Sequence, residues 1–338
     1  MSKRVTLKEV AARASVSYQT VSKVLARKVH VSEATERRIL DAARELNYTP
    51  SYTARSLRLR RSMTIGYSWE PSPPDQTNTI LDEFLQSMFR TAENFGYYLL
   101  CFPFHSETQR QLAIYQELIN TGRVDAFVLS ALNYHDPCVN FLLEHKFPFV
   151  GFGRLEEPDG FPYIDVDGGL GVQMAVEHLL SLGHRRIATL AWPLDSRVGN
   201  NRMDGYYAAM AKAGIAVQPE WVERGEGCFD MGMEATSRLL ALPAKDRPTA
   251  VVAMNDLMAF GAMAAIQKAG MRPGRDFGII GFDDSPTARY FNPPLTSIHQ
   301  PISLIGKLLM ERLIIYLEEG VYPDPRHELV APQLIVRE

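Results

Sequence analysis

The sequence predicts a small all-α domain at the N-terminus, followed by a larger α/β domain with parallel sheets in two lobes. Charge separates the two parts: residues 1–62 contain 14 Lys and Arg against 5 Asp and Glu, and the rest of the 338 residues is acidic. Before residue 50 the apolar positions recur at helical spacing. From residue 63 onward, short apolar runs alternate with amphipathic helical stretches, which is the pattern of parallel sheets covered by helices.

Length and composition exclude several classes of protein. The chain is longer than one ordinary domain, and 46% apolar residues are too many for a disordered chain. We find neither an apolar run of about 20 residues nor the apolar stretch of a signal peptide, so we expect a cytoplasmic protein without a membrane partner. Cys101, Cys138 and Cys228 match no metal-site spacing, and we expect free thiols, no metal and no cofactor.

Three N-terminal segments begin with a hydroxyl side chain that can cap a helix. Thr6 and Glu9 have the capping-box spacing, Ser17 can cap a second helix, and Ser32 a third that ends before Pro50. The positions expected to pack the three helices together recur every three or four residues. In chain order they are Leu7, Val10, Ala11, Ala14, Val21, Val24, Leu25, Ile39, Leu40, Ala43 and Leu46.

Three short helices with a tight turn between the first two have the helix-turn-helix plan, whose second helix enters the major groove of DNA. A basic solvated tail is the alternative on charge alone, and the helical pattern argues against it. On the second helix, Tyr18, Gln19 and Lys23 are expected to face solvent and not the core. A Gln side chain can form two hydrogen bonds with adenine, and a Lys side chain can donate to guanine. Short donors suited to phosphate oxygens are Thr6, Ser17, Thr20, Ser22, Ser32, Thr35 and Tyr48.

Residues 5–66 carry, without a gap, the segments VTLKEVA, VSYQTVSKVL and ELNYTP. In these segments the chain closely resembles the lactose-repressor (LacI/GalR) family of bacterial transcription regulators. The resemblance implies a homodimer that binds double-stranded operator DNA and reads bases with Tyr18, Gln19 and Lys23. Many relatives carry Arg where Lys23 stands, so the operator sequence does not follow from the resemblance.

Residues 51–62 are the expected hinge between a headpiece, 1–50, and a core, 63–338. The segment is compatible with a helix, but isolated helices shorter than about 12–15 residues are marginal in water, and a plain flexible linker is the alternative. The resemblance implies that it becomes a helix in the minor groove when two copies pack together. Leu57 would then be wedged into a base step, with Ala54 one turn earlier on the same face.

The core pattern predicts two lobes with a crevice at the carboxyl ends of the strands. The predicted strands are 63–67, 97–102, 126–129, 149–152, 187–191, 250–254 and 277–281, and the predicted helices lie around 79–95, 107–121, 169–183, 202–214, 230–242 and 256–269. The resemblance extends into the core and implies a fold like that of periplasmic sugar-binding proteins, with three crossings between lobes. The first lobe would span about 63–162 and 298–326, and the second about 163–293 and 327–338.

Polar and aromatic residues after the predicted strands are candidate ligand contacts. The resemblance assigns Arg202 as a ligand arginine, Phe229 as a stacking ring and Gln300 as a polar contact; Tyr163 and Arg154 lie near matching positions. Asp165, Asp167 and His184 are expected to be structural. The candidate set is Trp69, Glu70, Arg202, Phe229, Asn255, Asp283 and Gln300, and we expect a carbohydrate, such as a disaccharide, that releases a repressor of sugar-utilisation genes from DNA.

Two other functions remain open. The same DNA-binding architecture could answer to a purine or another corepressor, which would require aromatic faces on both sides of the ligand. More remotely, Asp165 and Asp167 resemble the aspartate pair of a metal-dependent phosphatase, with Asp283 and Asp284 as a metal-binding partner. That chemistry needs an activating Lys between the two motifs, and no Lys lies in a suitable context. We therefore expect a protein that is not an enzyme.

Overall fold

The computed structural model describes residues 5–25, 29–48, 61–70, 78–155 and 160–337. Within them, the chain contains eleven α-helices and two six-stranded sheets. It divides into two compact units, residues 1–62 and 63–338. Among the described helices, none combines the length and the apolar character that crossing a membrane requires.

Three helices form the first unit: α1 (Leu7–Ala14), α2 (Tyr18–Leu25) and α3 (Glu33–Glu45). The capping box is formed, because Thr6 N–H donates to Glu9 Oε2 at 2.6 Å and Glu9 N–H donates to Thr6 Oγ1 at 3.4 Å. Ser17 Oγ accepts a hydrogen bond from Thr20 N–H at 3.0 Å, which caps α2. Val10, Val21 and Ile39 are fully buried where the three helices meet, so hydrophobic burial stabilises this small unit.

Two details of α3 differ from the sequence-based expectation. Leu40, expected in the core, is 39% exposed, and Ala42 is buried instead, because a helix that buries Ile39 turns residue 40 about 100° away from the core. The helix ends at Glu45, before the expected stop at Pro50. Asn47 adopts a left-handed φ of 49°, and Tyr48 N–H donates to Ala43 O at 2.8 Å.

The second unit alternates strands and helices. In chain order its elements are β1 (Thr64–Trp69), α4 (Thr79–Asn94), β2 (Tyr98–Pro103), α5 (Thr108–Asn120), β3 (Ala126–Leu129), α6 (Pro137–Glu144), β4 (Phe149–Phe152), β5 (Tyr163–Val166), α7 (Gly168–Ser181), β6 (Ile187–Ala191), α8 (Arg197–Lys212), a 3₁₀ helix (Pro219–Trp221), β7 (Val222–Arg224), α9 (Phe229–Ala241), β8 (Ala250–Ala253), α10 (Asp256–Lys268), β9 (Gly278–Asp283), a second 3₁₀ helix (Pro286–Arg289), β10 (Ser297–His299), α11 (Ile302–Glu319), β11 (His327–Val330) and β12 (Gln333–Ile335).

Each sheet belongs to one lobe. The first has the strand order β11-β5-β4-β3-β1-β2, and the second β12-β10-β9-β8-β6-β7. All strand pairs are parallel except β10 with β12. Parallel sheets covered by helices are buried on both faces, which explains why β3, β6 and β8 are buried along their whole length.

The chain crosses between the lobes three times, a few residues later than expected. Residues 163–166 and 327–330 were assigned to the second lobe, but β5 and β11 pair with each other in the first sheet. Residues 298–299 were assigned to the first lobe, but β10 pairs with β9 in the second. Each strand next to a crossing contributes to the core of its own sheet, since Ile164 and Ile298 are fully buried there. The chain passes to the other lobe only after the strand has ended. The crossings therefore follow the strands, near Asp167, Pro301 and Pro332.

Helices α9 and α10 pack unusually closely and thereby fix one wall of the crevice. A Cβ atom added at Gly261 would lie 2.0 Å from the backbone oxygen of Phe229, and one added at Gly232 would lie 2.1 Å from that of Met258. Only glycine permits such an approach of two backbones. Both helices begin beside the crevice, so this contact sets the position of Phe229 and Asn255 at their N-terminal ends.

Candidate functional site

A cavity of about 650 Å³ lies between the two lobes. Residues that follow strands of both sheets line it, as expected for ligand sites of open α/β sheets. Its volume is within the range of small-molecule sites. Five of the seven predicted ligand residues lie in its wall: Arg202, Phe229, Asn255, Asp283 and Gln300.

Trp69 and Glu70 are not among the described lining residues of the cavity. Trp69 is the last residue of β1 and is 37% exposed, and Glu70 next to it is also exposed. The wall after β1 is instead formed by Asn78, Thr79 and Ile80 at the start of α4. The structure therefore does not bring Trp69 and Glu70 together with the other five residues.

Arg202 lies in the middle of the cavity wall and is 4% exposed. Its guanidinium group lies 3.6 Å from the centre of the Phe282 ring and 4.8 Å from that of Trp192, and its Nη1 donates to Met254 O. Burial lowers the pKa of Arg202 to about 10, while the neighbouring carboxylate of Asp283 opposes this change. The group remains a cation at neutral pH, and its Nε has no hydrogen-bond partner among the described residues.

Asp283 ends β9 with a positive φ of 124°, a conformation that L residues adopt at a cost when a site requires it. Its Oδ1 accepts a hydrogen bond from Gln300 Nε2 at 2.7 Å. Nearby, Asp256 accepts from Ser285 N–H at 2.7 Å and from Ser297 Oγ at 2.5 Å. Burial raises the pKa of Asp283 to about 7 and that of Asp256 to about 6. The nearby carboxylate of Asp256 adds to the increase for Asp283, and that of Asp284 adds to the increase for Asp256.

These raised pKa values predict how stability changes with pH. Between about pH 4 and pH 7 the folded protein holds protons on Asp283 and Asp256 that the unfolded chain has lost, so the two groups favour folding less as pH rises. Asp283→Asn is therefore expected to gain thermal stability relative to the wild type as pH rises from about 5 to about 8. Melting temperatures across this range test it, with Asp204→Asn at an exposed position as control. Parallel pH profiles for wild type and Asp283→Asn would contradict it.

Asn255 has a structural role in the cavity wall. Its Oδ1 accepts from Met258 N–H at 2.8 Å and caps α10, and its Nδ2 donates to Gly227 O at 2.8 Å. Both ends of the amide are thus engaged within the protein. Asn255 positions the start of α10, and its second amide N–H and its remaining oxygen lone pair are what it can offer to a ligand.

Sequence reasoning missed Arg197 and Asn133 among the residues that join the lobes at the cavity, while it expected a structural role for Asp165 and a position near the ligand for Arg154. Arg197, the first residue of α8 in the second lobe, places Nη2 3.2 Å from Asp165 Oδ2 on β5 of the first lobe. Its backbone N–H donates to Asn133 Oδ1 at 3.1 Å, also in the first lobe. Arg154 Nη1 lies 3.7 Å from the same Asp165 oxygen. The available signal was Ser196, whose Oγ caps α8 through Gly199 N–H at 3.1 Å and marks the start of that helix.

The candidate DNA-reading residues lie on helix α2 of the first unit. Tyr18, Gln19 and Lys23 are exposed, and Tyr18 is 50% exposed despite its large ring. Among the candidate phosphate contacts, the Ser17 and Thr20 hydroxyls lie 2.8 Å apart and those of Ser32 and Thr35 2.9 Å apart, each pair at a helix start. Thr6 is exposed, and Ser22 and Tyr48 are half-buried. Ala54 and Leu57 lie outside the described residues.

Comparison with known proteins finds a matching family model in each of the two units. A model of the lacI family of bacterial regulatory proteins matches residues 6–51, and a periplasmic binding protein-like domain matches residues 176–338. The HTH-type transcriptional repressor PurR of Escherichia coli O139:H28 is 33% identical over 338 residues, which cover 98% of this chain and 96% of that protein. The chain belongs to the LacI family. This LacI-family protein is a DNA-binding transcriptional repressor, and the predicted family and fold class are confirmed.

Solved structures of relatives agree with this assignment. The lac repressor dimer bound to operator and the anti-inducer ONPF is 28% identical, covers 99% of this chain and 98% of its own, and superposes with a TM-score of 0.85. The transcriptional regulator CelR in complex with cellobiose is 29% identical, with 99% of both chains covered and a TM-score of 0.74. A LacI-family regulatory protein from Chloroflexus aggregans is 49% identical over 81% of this chain and 97% of its own, with a TM-score of 0.77.

In this LacI-family repressor, the aspartates of the phosphatase alternative have other partners. Asp165 is paired with Arg197, and Asp167 Oδ1 caps α7 by accepting from Leu170 N–H at 3.0 Å. Asp284 Oδ1 lies 2.5 Å from Arg337 Nη2. These carboxylates serve to join elements of the fold, and the relatives that match the chain are transcription regulators.

Proposed function

We propose that this LacI-family repressor binds a small carbohydrate between its two lobes and leaves its operator when the ligand is bound. The observation that carries the proposal is the arrangement of Arg202, Asp283 and Gln300 in one wall of a 650 Å³ cavity that both lobes line. A guanidinium, a carboxylate and an amide side by side can donate to and accept from neighbouring hydroxyl groups. Vicinal hydroxyls of this kind are the main polar feature of a sugar.

The aromatic residues of the cavity favour a sugar over a flat heterocycle. Phe260 and Phe291 stack on each other with ring centres 4.1 Å apart, and Trp192 has one face against the guanidinium of Arg202. Each of these three rings thus has one face engaged within the protein, and we take Phe229 at the start of α9, which also lines the cavity, as the ring that stacks on the ligand. One ring combined with many polar groups suits a pyranose, whereas a purine is held best between two aromatic faces.

A purine or another corepressor is the second candidate ligand. The curated relatives named PurR, at 33% identity, support it, while the solved CelR–cellobiose complex, at 29% identity, supports a carbohydrate. At these identities a shared fold does not fix the ligand, so the geometry of the cavity decides our preference.

On the DNA side, Tyr18, Gln19 and Lys23 read bases, and the hydroxyl groups at the helix starts bind phosphates. The protein binds as a homodimer with two-fold symmetry, an arrangement supported by the solved lac repressor dimer on its operator. The headpiece comprises residues 1–50 and the core 63–338. The proposal includes residues 51–62 as the hinge between them, with Ala54 and Leu57 as minor-groove contacts, although both of these residues lie outside the described part of the chain.

Ligand binding acts on DNA through the relative position of the lobes. Residues from both lobes line the cavity, and the second crossing between the lobes, near Pro301, begins directly after Gln300. A ligand that binds Asp283 competes with the Gln300 hydrogen bond beside the crossing near Pro301. A coupling free energy of about 1–3 kcal/mol between ligand and operator gives a 5- to 150-fold change in affinity.

A thermal-shift screen tests the ligand class. Neutral and charged mono- and disaccharides are compared with nucleobases and nucleosides, and each compound that stabilises the protein is then added to a complex with operator DNA. We expect a carbohydrate to raise the melting temperature by roughly a few degrees at saturating concentration and to weaken operator binding. Stabilisation by purines alone, with tighter operator binding, would overturn the carbohydrate proposal in favour of the second candidate.

A further inference from the structure

Two arginines share a single carboxylate in the wall of the cavity. Asp165 Oδ2 lies 3.2 Å from Arg197 Nη2 and 3.7 Å from Arg154 Nη1. The three side chains are nearly buried, with exposures of 6% for Arg197, 19% for Arg154 and 11% for Asp165. This cluster therefore carries an excess of one positive charge in a poorly solvated place, where an unpaired charge is costly.

The excess charge is accompanied by unused hydrogen-bond donors. Arg197 Nε and Arg154 Nη1 are buried and make no hydrogen bond within the part of the chain that the structure describes. Arg197 also lines the cavity directly, together with Ser196 and Val198 at the N-terminal end of α8. Buried guanidinium donors are normally satisfied, and a helix N-terminus favours a nearby anion. Both features favour a negatively charged ligand group at this place.

The other carboxylates of the cavity already have partners among the described residues. Asp165 is shared between the two arginines, and Asp256 is held by Ser285 and Ser297. Burial raises the pKa of Asp283 to about 7 and that of Asp256 to about 6, which reduces their negative charge near neutral pH. Arg197 and Arg202 both line the cavity, and the Nε atom of each makes no hydrogen bond within the described residues.

We infer that the ligand is an acidic carbohydrate, whose carboxylate or phosphate group binds Arg197 while its hydroxyl groups bind Asp283 and Gln300. This inference rests on the proposed function, because it specifies the ligand of the same cavity. A guanidinium group binds carboxylate and phosphate through strong charge-assisted hydrogen bonds, so either anion suits Arg197, whose Nε makes no hydrogen bond within the described residues. A neutral sugar would leave the charge of the cluster uncompensated.

Calorimetry on the full-length protein with matched sugars tests the inference. The probes are glucose and galactose, their uronates, and their 6-phosphates, so that carboxylate and phosphate are compared on the same ring. We expect at least one anionic probe to bind about tenfold or more tightly than its neutral parent, a difference of about 1.4 kcal/mol. Arg197→Gln should remove most of that preference, and Arg197→Lys should retain part of it because the charge remains.

Arg185→Gln is the matched control, since it removes an equal charge from an exposed position of the same lobe outside the cavity. It should leave the preference unchanged. Neutral sugars that bind as tightly as their anionic derivatives would overturn the inference and leave the proposed carbohydrate function intact. A preference for anionic probes that survives in Arg197→Gln would overturn the role of Arg197. If no anionic probe binds while nucleobases do, both the inference and the carbohydrate proposal fail.

Discussion

Arg202→Met is expected to lower ligand affinity about 100-fold while leaving operator binding in place, so that the ligand no longer releases DNA. A hydrogen bond to a charged partner contributes about 1.5–3 kcal/mol, and Arg202 offers an unused buried Nε together with its charge. Met has a similar length and can still pack between the rings of Phe282 and Trp192. The affinity is measured by calorimetry with whichever compound the thermal-shift screen identifies.

The same variant separates a ligand contact from a structural role. Arg202→Met leaves the buried Asp283 carboxylate and Met254 O without this partner, so the variant should unfold at a lower temperature than the wild type. Ligand and operator binding are therefore measured at a temperature at which the variant is folded. Arg185→Met, at an exposed position outside the cavity, is the control for loss of charge. If Arg202→Met retained wild-type ligand affinity, or if it lost operator binding as well, Arg202 would not be the central ligand contact.

Gln19→Ala is expected to weaken operator binding by about 1–3 kcal/mol at one base pair and to leave affinity for random duplex DNA almost unchanged. Gln19 is exposed in the first turn of α2, where a recognition helix contacts base edges. Because the side chain makes no contact with the core of the unit, stability should not change. The measurement is a set of titrations with operators substituted at each base pair in turn, at fixed salt.

The losses of binding affinity across the panel of substituted operators show whether Gln19 contacts a base or a phosphate. A base contact makes the variant insensitive to substitution at the one pair it reads, whereas a phosphate contact weakens binding to every duplex equally. A uniform loss with Gln19→Ala would therefore remove this residue from the base-reading set. Lys23→Ala is compared in the same panel, and it should also change the dependence on salt because a cation is lost.

Elements that bury a continuous apolar run could be predicted from sequence to the residue. Ala126–Leu129, Phe149–Phe152 and Ile187–Ala191 are observed as expected, because such a run has one stable environment, the interior of a parallel sheet. Helix α8 was expected from residue 202 and begins at Arg197. Its first turn contains Gly199 and two Asn residues, which disfavour helix by propensity, and the cap at Ser196 overrides them.

Short elements at the crossings could not be predicted in the same way. The strands β5, β10, β11 and β12 contain only three or four residues each. Their existence depends on pairing between distant parts of the chain, such as Tyr163 with His327. No local pattern encodes such a pairing, so the lobe boundaries were misplaced by a few residues.

The residues of the cavity also divide into those that a local sequence pattern identifies and those that only contacts between distant parts of the chain bring together. Arg202 and Gln300 were identified from the family resemblance and Asp283 because it follows a predicted strand, and all three line the cavity. Trp69 was placed there because it follows β1, but α4 supplies that wall. The pair formed by Arg197 and Asp165 was missed because it joins two lobes across 32 residues of sequence, and only the folded chain brings it together.

Titration of one operator duplex with the full-length protein, with and without the ligand found in the thermal-shift screen, tests the central claim most directly. The account predicts binding to the operator at least about 1,000-fold tighter than to a scrambled duplex at the same salt concentration, and a shift of about 5- to 150-fold when the ligand is added. Equal affinity for both duplexes, or an operator affinity that the ligand leaves unchanged while it binds the cavity, would contradict a ligand-controlled repressor.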